Sequence, residues 1–311
     1  MNSMTRRQFN AAALFSFIAG ASRAAPAFDA SSTAEEVTAG LDLTGRTALV
    51  TGCNSGIGYE TMRVLALRGA RVIGTGRTQD KAEEACRSVK GKAVPAVLEL
   101  TDFDSVVACA DRIRAMNLDI DMLICNAGIV LDRWERVRGL EKQFVVNHLG
   151  HFILVNRLLD RVTAAPQGRV VVLGSNNHRD APPGGIQFDD LSGKDWFKRG
   201  YAHSKLANGL FSLELSKRLQ STRATSNCVT PGPTRTAILR NTAGSTANYR
   251  NSVGQGAATP CYVATNPALG KVSGGYFKNC APEPQGEYQT DAAMAARLWT
   301  VSEQLTRAYL G

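Results

Sequence analysis

The stretch Thr51-Gly52-Cys53-Asn54-Ser55-Gly56-Ile57-Gly58 decides the fold prediction. It follows a short β-branched and apolar run over residues 46–51 and precedes a helical pattern over residues 59–69. A strand, a glycine-rich turn and a helix in this order indicate a dinucleotide site, because glycines let the backbone approach a pyrophosphate and the helix N-terminus attracts its charge. The glycines do not have the G-x-G-x-x-G spacing, so a turn without a ligand is the alternative.

Further apolar runs alternate with helical patterns along the chain. They predict strands over residues 71–75, 93–99, 120–125, 169–174 and 225–229, and a late strand over residues 274–278. This alternation indicates an α/β fold, a Rossmann-type doubly wound parallel sheet of about seven strands with helices on both faces. Ligands of such sheets bind at the carboxyl ends of the strands. The candidates at those ends are Gly52, Arg77, Glu99, Asn126, Ser175 and the pair Pro231-Gly232.

Tyr201 and Lys205 are four residues apart in a stretch that reads as helix, so their side chains share one face. An adjacent cation lowers the pKa of a tyrosine from its usual value of about 10 and thereby populates a base. The pair is therefore suited to moving a proton. The alternative for this spacing alone is an amphipathic tyrosine beside a solvated lysine.

Composition excludes several classes of protein. The 311 residues carry a formal net charge of +9, and the basic residues are scattered, so we expect no nucleic-acid partner. Seven cysteines, an odd number without a Cys-x-x-Cys pair, indicate neither a disulfide framework nor a zinc ribbon. His148 and His151 have the spacing of two ligands on one helix, but no third ligand lies nearby in sequence, so we expect no metal.

The N-terminus differs from the rest of the chain. Thr5-Arg6-Arg7-Gln8-Phe9 precedes an apolar run over residues 11–21 and small residues up to Ala27, which resembles a bacterial twin-arginine leader. We expect a signal peptide over residues 1–27, a linker over 28–42, one domain over 43–311 and export to the periplasm. A cytoplasmic protein with a basic N-terminus is the alternative. The apolar run is shorter than the about 20 residues that cross a bilayer, so no stable transmembrane anchor is expected.

Taken together, the motifs resemble the short-chain dehydrogenase/reductase family over about residues 43–308. The resemblance rests on Thr51-Gly52-x-x-x-Gly56-Ile57-Gly58, Asn126-Ala127-Gly128, Asn147, Ser175, Tyr201-x-x-x-Lys205 and Pro231-Gly232, which occur in the family's order. Residues 144–152 and 297–299 are similar to the retinol-dehydrogenase and WW-domain-oxidoreductase branch. Two positions depart from the pattern, since Cys125 replaces an asparagine and Glu99 replaces an aspartate.

The resemblance implies roles for four catalytic residues. Tyr201 would be the general acid and base, and Lys205 would lower the pKa of Tyr201 and bind the ribose. Ser175 would hydrogen-bond the substrate oxygen, and Asn147 would hold through its backbone a water on the proton path to Lys205. A loop serine and a residue at a helix kink are the alternatives for Ser175 and Asn147.

The cofactor prediction is NADP, with NAD less favoured. An enzyme that selects the ribose 2′-hydroxyl places an acid after the second strand, whereas Gly76-Arg77 stands here and an arginine can receive a 2′-phosphate. A surface arginine without that contact is the alternative. The expected cofactor-binding residues are Gly52, Asn54, Ser55, Gly56, Ile57, Gly58, Arg77, Glu99, Leu100, Asn126, Ala127, Gly128, Tyr201, Lys205, Pro231, Gly232 and Thr236.

The substrate prediction is a class of molecule. The branch implies a lipophilic alcohol and the corresponding aldehyde or ketone, such as a retinoid, a steroid or a long-chain carbonyl. Residues 178–199 and 236–264 are expected to cover it. A homo-oligomer is compatible with the sequence. The competing hypothesis is a catalytically silent NADP-binding sensor or scaffold, which predicts a damaged proton path.

Overall fold

The structure is a computed structural model, and it describes residues 28–311. The leader predicted over residues 1–27 lies outside these residues. The strands are β1 Thr47–Val50, β2 Arg71–Gly76, β3 Lys92–Val97, β4 Met122–Cys125, β5 Arg136–Val137, β6 Leu140–Glu141, β7 Arg169–Leu173, β8 Thr225–Thr230, β9 Tyr276–Lys278 and β10 Ala281–Pro282. The α-helices are α1 Ala34–Val37, α2 Gly56–Leu67, α3 Gln79–Arg87, α4 Phe103–Ala115, α5 Lys142–Phe144, α6 Gly150–Ala164, α7 Gly200–Arg218, α8 Val253–Thr265 and α9 Ala292–Leu310.

The main sheet has the order β10-β9-β8-β7-β4-β1-β2-β3. Seven of these strands are parallel, and only β10 runs antiparallel to its neighbour β9. The predicted doubly wound parallel sheet is therefore confirmed. It has eight strands rather than about seven, because the chain turns back after β9 and adds β10 at the edge. Strands β5 and β6 form a separate two-stranded hairpin.

Alternate residues of the central strands face the two helical layers, as the two-residue period of a strand requires. Leu49 of β1 packs with α4, α6, α7 and α9 in one buried cluster. Ala48 and Val50 of the same strand pack with α2 and α8 in a second buried cluster. The sheet thus has a hydrophobic core on each face, which leaves the carboxyl ends of its strands as the place for polar groups.

The segment predicted as a linker contains helix α1. Thr33 caps this helix, and Glu36 completes a capping box by bonding back to the Thr33 backbone and side chain. Ala34 and Val37 are buried against α2 and α8. The small polar composition of residues 28–42 suits a helix cap as well as a linker, and the two buried residues were too few to show a period.

The two outer strands of the sheet each contain a proline, Pro95 in β3 and Pro282 in β10. Within residues 28–311, no helix combines the length and the apolar character that a membrane crossing requires.

Candidate active site

A cleft of about 400 Å³ opens at the carboxyl ends of the parallel strands. Every site residue predicted from the sequence lines it, with the exception of Asn147, which is buried behind the wall of the cleft. The doubly wound topology brings these residues together from positions as far apart as Gly52 and Thr236.

The glycine turn lets two segments approach closely. Gly52 has a φ of +73°, in the left-handed region that favours glycine. A Cβ on Gly58 would lie 2.3 Å from the Gly52 carbonyl oxygen and 2.3 Å from Asn126 Nδ2. Helix α2 begins at Gly56, earlier than the residue 59 expected from the pattern, and its N-cap residue Ser55 makes no side-chain cap bond. The amides of the first turn therefore remain for an anion.

Arg77 and Glu99 follow the second and third strands. The exposed Arg77 lines the cleft, and within residues 28–311 its side chain makes no ion pair or hydrogen bond. Glu99 lies two residues beyond the end of β3 at Val97, whereas the sequence predicted strand up to residue 99. Its Oε1 accepts hydrogen bonds from the backbone N–H of Thr101 at 3.0 Å and from the Thr101 hydroxyl at 2.8 Å. The Glu99 carboxylate therefore stabilises the turn in which it lies.

Thr51 holds the turn that follows β4. Its Oγ1 accepts hydrogen bonds from the backbone N–H groups of Asn126 and Ala127, each at 2.9 Å. Asn126 Nδ2 donates to the Thr51 carbonyl at 2.7 Å. These bonds fix the Asn126 turn beside the glycine turn. In the sequence, Thr51 is part of the glycine motif, and nothing there indicates these contacts.

Tyr201 and Lys205 lie on α7 and line the cleft. Lys205 Nζ is 5.7 Å from the centroid of the Tyr201 ring and donates a hydrogen bond to the Leu173 carbonyl at 2.9 Å. Asn208 Nδ2 donates to the same carbonyl at 3.0 Å. The end of β7 is therefore tied to the helix that carries the pair.

Burial controls the protonation of both side chains. Burial raises the pKa of Tyr201 to about 12, against an opposing hydrogen bond from Ser175, and burial lowers the pKa of Lys205 to about 8. The sequence led us to expect Lys205 to lower the pKa of Tyr201. Instead, the loss of solvation is the largest influence on the pKa of the Tyr201 phenol. At neutral pH the site therefore presents a neutral phenol beside an ammonium group.

Ser175 lies two residues after the end of β7 at Leu173. It is the N-cap of a short 3₁₀ turn, where its Oγ accepts a hydrogen bond from Asn177 N at 3.2 Å and lies 3.1 Å from Asn177 Oδ1. His178 Nδ1 is 2.7 Å from the Ser175 carbonyl. The hydroxyl thus has a fixed place on the wall of the cleft beside Tyr201.

Asn147 lies in a π-helical turn, Val145–Leu149, between α5 and α6. Its side chain is fully buried and well bonded, since Oδ1 accepts from Ile129 N at 2.8 Å while Nδ2 donates to Ser204 Oγ at 2.9 Å. The side chain is thus occupied, which leaves the backbone carbonyl as the group that the family resemblance assigns to the proton path.

All four histidines are buried. His148 Nε2 is 2.8 Å from Ser302 Oγ, and His151 Nε2 is 2.9 Å from Thr51 Oγ1. His203 stacks on Trp196 at 4.0 Å between ring centroids. Burial lowers the pKa of His148 to about 3, of His151 to about 4 and of His203 to about 3, so these rings are neutral at pH 7. Among residues 28–311, no group of three potential ligands is placed to hold a metal.

The two segments expected to cover the substrate behave differently. Residues 236–240 and Tyr249 line the cleft, whereas residues 178–199 do not and instead bury Ala181, Ile186 and Trp196 in the structure. Sequence reasoning missed Tyr249, because it lies in an irregular stretch without a period or motif. Val130 of the loop after β4 lines the cleft as well.

Known proteins resemble the chain over most of its length. A family model described as short chain dehydrogenase matches residues 46–246. The WW domain-containing oxidoreductase of Pongo abelii is 36% identical over 307 residues, which cover 91% of this chain and 73% of that protein. Human retinol dehydrogenase 13 is 38% identical and covers 84% of each chain.

A solved structure shares the fold. The crystal structure of an uncharacterized protein from Mycobacterium paratuberculosis superposes with a TM-score of 0.73 at 32% sequence identity, covering 87% of this chain and 97% of that one.

Proposed function

The chain belongs to the short-chain dehydrogenase/reductase family, and on that premise we propose that it is an NADP(H)-dependent oxidoreductase that interconverts an alcohol with an aldehyde or ketone. The observation that carries the proposal is the grouping of Tyr201, Ser175 and Lys205 around one cleft, with the Tyr201 phenol neutral and the Lys205 amine protonated at pH 7. A phenol in this state is a proton donor.

The residues of the chain supply the acid-base part of the reaction. In the reduction, Tyr201 donates its proton to the carbonyl oxygen, and Ser175 hydrogen-bonds the same oxygen as negative charge develops there. Lys205 Nζ lies beside the Tyr201 ring, and only one of its three N–H groups donates to the Leu173 carbonyl. The other two are available to return a proton to Tyr201. The family resemblance assigns the Asn147 backbone carbonyl to a water on that path. In the oxidation, each proton moves in the opposite direction.

The cleft fits a dinucleotide. The uncapped first turn of α2 and the close approach at Gly58 suit a pyrophosphate, and Lys205 suits the ribose hydroxyls. The cofactor, when bound, supplies or accepts the hydride. Proteins of this fold bind NAD(P). We favour NADP because Arg77, which is free of other partners within residues 28–311, is available for a 2′-phosphate.

The substrate class is a lipophilic alcohol or carbonyl. Val130, Ile238 and Leu239 give the cleft apolar surface, and relatives bear the name retinol dehydrogenase. Tyr249 and Arg240 add polar groups to the cleft. Retinoids, steroids and long-chain carbonyls are therefore the compounds to assay first.

A Tyr201→Phe variant tests the proposal against a panel of such carbonyls. We expect the parent to oxidise NADPH with at least one member of the panel and the variant to lose about 10²- to 10⁴-fold in kcat, the usual contribution of a positioned acid. Nucleotide should still bind in a fluorescence titration, because the other residues of the cofactor site are unchanged. A variant as fast as the parent would overturn the acid-base assignment. A parent that binds NADPH without reducing any carbonyl would favour the silent sensor.

We further propose that the protein is exported to the periplasm with nucleotide already bound. The support is the twin-arginine-like sequence Arg6-Arg7 and the apolar run that follows it, since twin-arginine export carries folded proteins. Mass spectrometry of native protein tests this point. We expect an N-terminus close to residue 28 and retained NADP. An intact Arg6-Arg7 in protein from the native host, or a mature protein free of nucleotide after mild purification, would contradict it.

A further inference from the structure

His151 connects the Asn147 carbonyl to the turn beside the cofactor cleft. It lies on α6, one helical turn after Asn147, with 2% of its surface exposed. Its Nδ1 is 3.1 Å from the Asn147 carbonyl oxygen, and its Nε2 is 2.9 Å from Thr51 Oγ1. In the sequence, His151 stands out only through its spacing from His148 and through the family motif over residues 144–152.

The hydrogen bonds of Thr51 fix the tautomer of His151. Thr51 Oγ1 already accepts from two backbone N–H groups, those of Asn126 and Ala127, at 2.9 Å each. A hydroxyl has two acceptor positions and one hydrogen, so that hydrogen is left to donate to His151 Nε2. The proton of the neutral ring must then be on Nδ1, where it donates to the Asn147 carbonyl. Burial, which lowers the pKa of His151 to about 4, keeps the ring in this neutral state.

The Asn147 carbonyl is unusual because of the π-helical turn in which it lies. In this turn the backbone N–H of Gly150 donates to the carbonyl five residues earlier, that of Val145, instead of four. The His151 side chain bonds the Asn147 carbonyl there. A carbonyl oxygen has two acceptor positions, so a carbonyl that accepts from the His151 ring can also accept from a second donor.

Lys205 and Asn147 lie against the same glycine. A Cβ added to Gly128 would be 3.2 Å from Asn147 Oδ1 and 3.6 Å from Lys205 Nζ, so both side chains contact the space beside Gly128. The charge of Lys205 also contributes to the lowered pKa of His151. The histidine, the π-helical turn and the ammonium group therefore form one buried region behind the cleft.

We propose that His151 is a positioning residue that fixes the direction of the Asn147 carbonyl so that its second acceptor position faces the proton path to Lys205, and that Thr51 locks the ring in the tautomer this requires. The proposal rests on the function proposed above. The new element is a chain of hydrogen bonds that links the Asn126 turn to the proton path. The Asn126 N–H donates to Thr51, the Thr51 hydroxyl donates to His151, and the His151 ring donates to the Asn147 carbonyl.

His151→Leu and His151→Asn test the proposal as a matched pair. Asn places an amide Nδ2 where the histidine carries Nδ1, so it can still donate to the Asn147 carbonyl, whereas Leu cannot. In carbonyl reduction by the full-length chain, we expect His151→Leu to lose about 10-fold in kcat with the KM for NADPH within 3-fold, less than the about 10²-fold or more that a positioned acid contributes, because His151 acts through Asn147. His151→Asn should recover most of that loss. The solvent deuterium isotope effect on kcat should rise in His151→Leu.

The outcomes separate a proton-path role from a merely structural one. A His151→Leu variant with parental kcat, or a His151→Asn variant no better than His151→Leu, would overturn the proposal. So would a loss in His151→Leu that leaves the isotope effect unchanged, because a packing defect alters affinity or stability and not proton transfer. Circular dichroism and thermal melting establish that both variants are folded.

A second measurement is independent of any enzyme activity. Long-range ¹H–¹⁵N correlation spectra of the parent at pH 7 report the tautomer of each histidine. We expect His151 as the Nδ1–H tautomer, and a change of its ring signals in Thr51→Val that Thr51→Ser does not produce. An Nε2–H tautomer would overturn the inference even in an active enzyme. A parent that reduces no carbonyl would overturn the proposed function instead, and the spectra distinguish the two failures.

Discussion

Acidification from pH 7.5 to pH 5.5 should destabilise the protein strongly, because buried histidines must stay neutral in the fold. Burial lowers the pKa of His148, His151 and His203 to about 3, 4 and 3, from an ordinary value of 6.5. At a pH between the pKa of the folded state and the ordinary pKa, these histidines bind protons in the unfolded chain and not in the folded chain. Stability is therefore fully present above pH 6.5 and falls as the pH drops below it.

The size of the effect follows from the same values. At pH 5.5 each unfolded histidine is about nine-tenths protonated, and lowering the pH from 7.5 to 5.5 removes about 1.4 kcal/mol of unfolding free energy per histidine. The three rings together remove about 4 kcal/mol, a large part of the 5–15 kcal/mol that holds a typical protein folded. Burial raises the pKa of Glu141, which acts in the opposite direction.

Urea denaturation followed by circular dichroism at pH 7.5, 6.5 and 5.5 measures the effect. The control variant is His203→Gln, whose side-chain oxygen can accept from the Gln187 N–H as His203 Nε2 does at 3.2 Å. It should reduce the pH dependence by about 1.4 kcal/mol while leaving the contribution of Glu141 unchanged. The reasoning is refuted if the parent loses less than about 1 kcal/mol over this range, or if His203→Gln retains the full pH dependence.

Three further predictions concern the cleft. Arg77→Ala should raise the KM for NADPH about 10- to 100-fold, because it removes a charge-assisted hydrogen bond to the 2′-phosphate, and it should leave the KM for NADH unchanged. Equal effects on both cofactors would contradict the 2′-phosphate assignment. Gly58→Ala should weaken nucleotide binding and cost about 1–3 kcal/mol of stability, because the new Cβ would meet the Gly52 carbonyl at 2.3 Å; unchanged binding by fluorescence titration would contradict this. For carbonyl reduction, kcat/KM should fall as the pH rises through about 8, since Lys205 then loses its proton, and a profile flat to pH 10 would exclude Lys205 from the path.

The sequence predicted the parts of the site that lie at strand ends. Gly52, Ser175 and Pro231 could be found because apolar runs marked the strands and the topology of a parallel sheet brings their carboxyl ends to one edge. The fold class followed from the same alternation of strands and helices.

The remaining parts depend on contacts between distant segments. The bond between Thr51 and His151 spans 100 residues and has no period in the sequence. The π-helical turn at Asn147 differs from an α-helix by a single residue, which the apolar pattern does not register. The pKa of Tyr201 depends on how completely the fold buries the phenol, which the spacing of Tyr201 and Lys205 in the sequence does not register.

The prolines of the outer strands have a consequence for the solubility of the protein. An exposed edge strand offers unpaired N–H and C=O groups on which another chain can add a strand, and this is a common route to aggregation. Pro95 and Pro282 each remove a backbone N–H from an outer strand of the sheet. Both edges are therefore poor templates for a foreign strand, so two sheets of this protein are discouraged from joining edge to edge at high concentration.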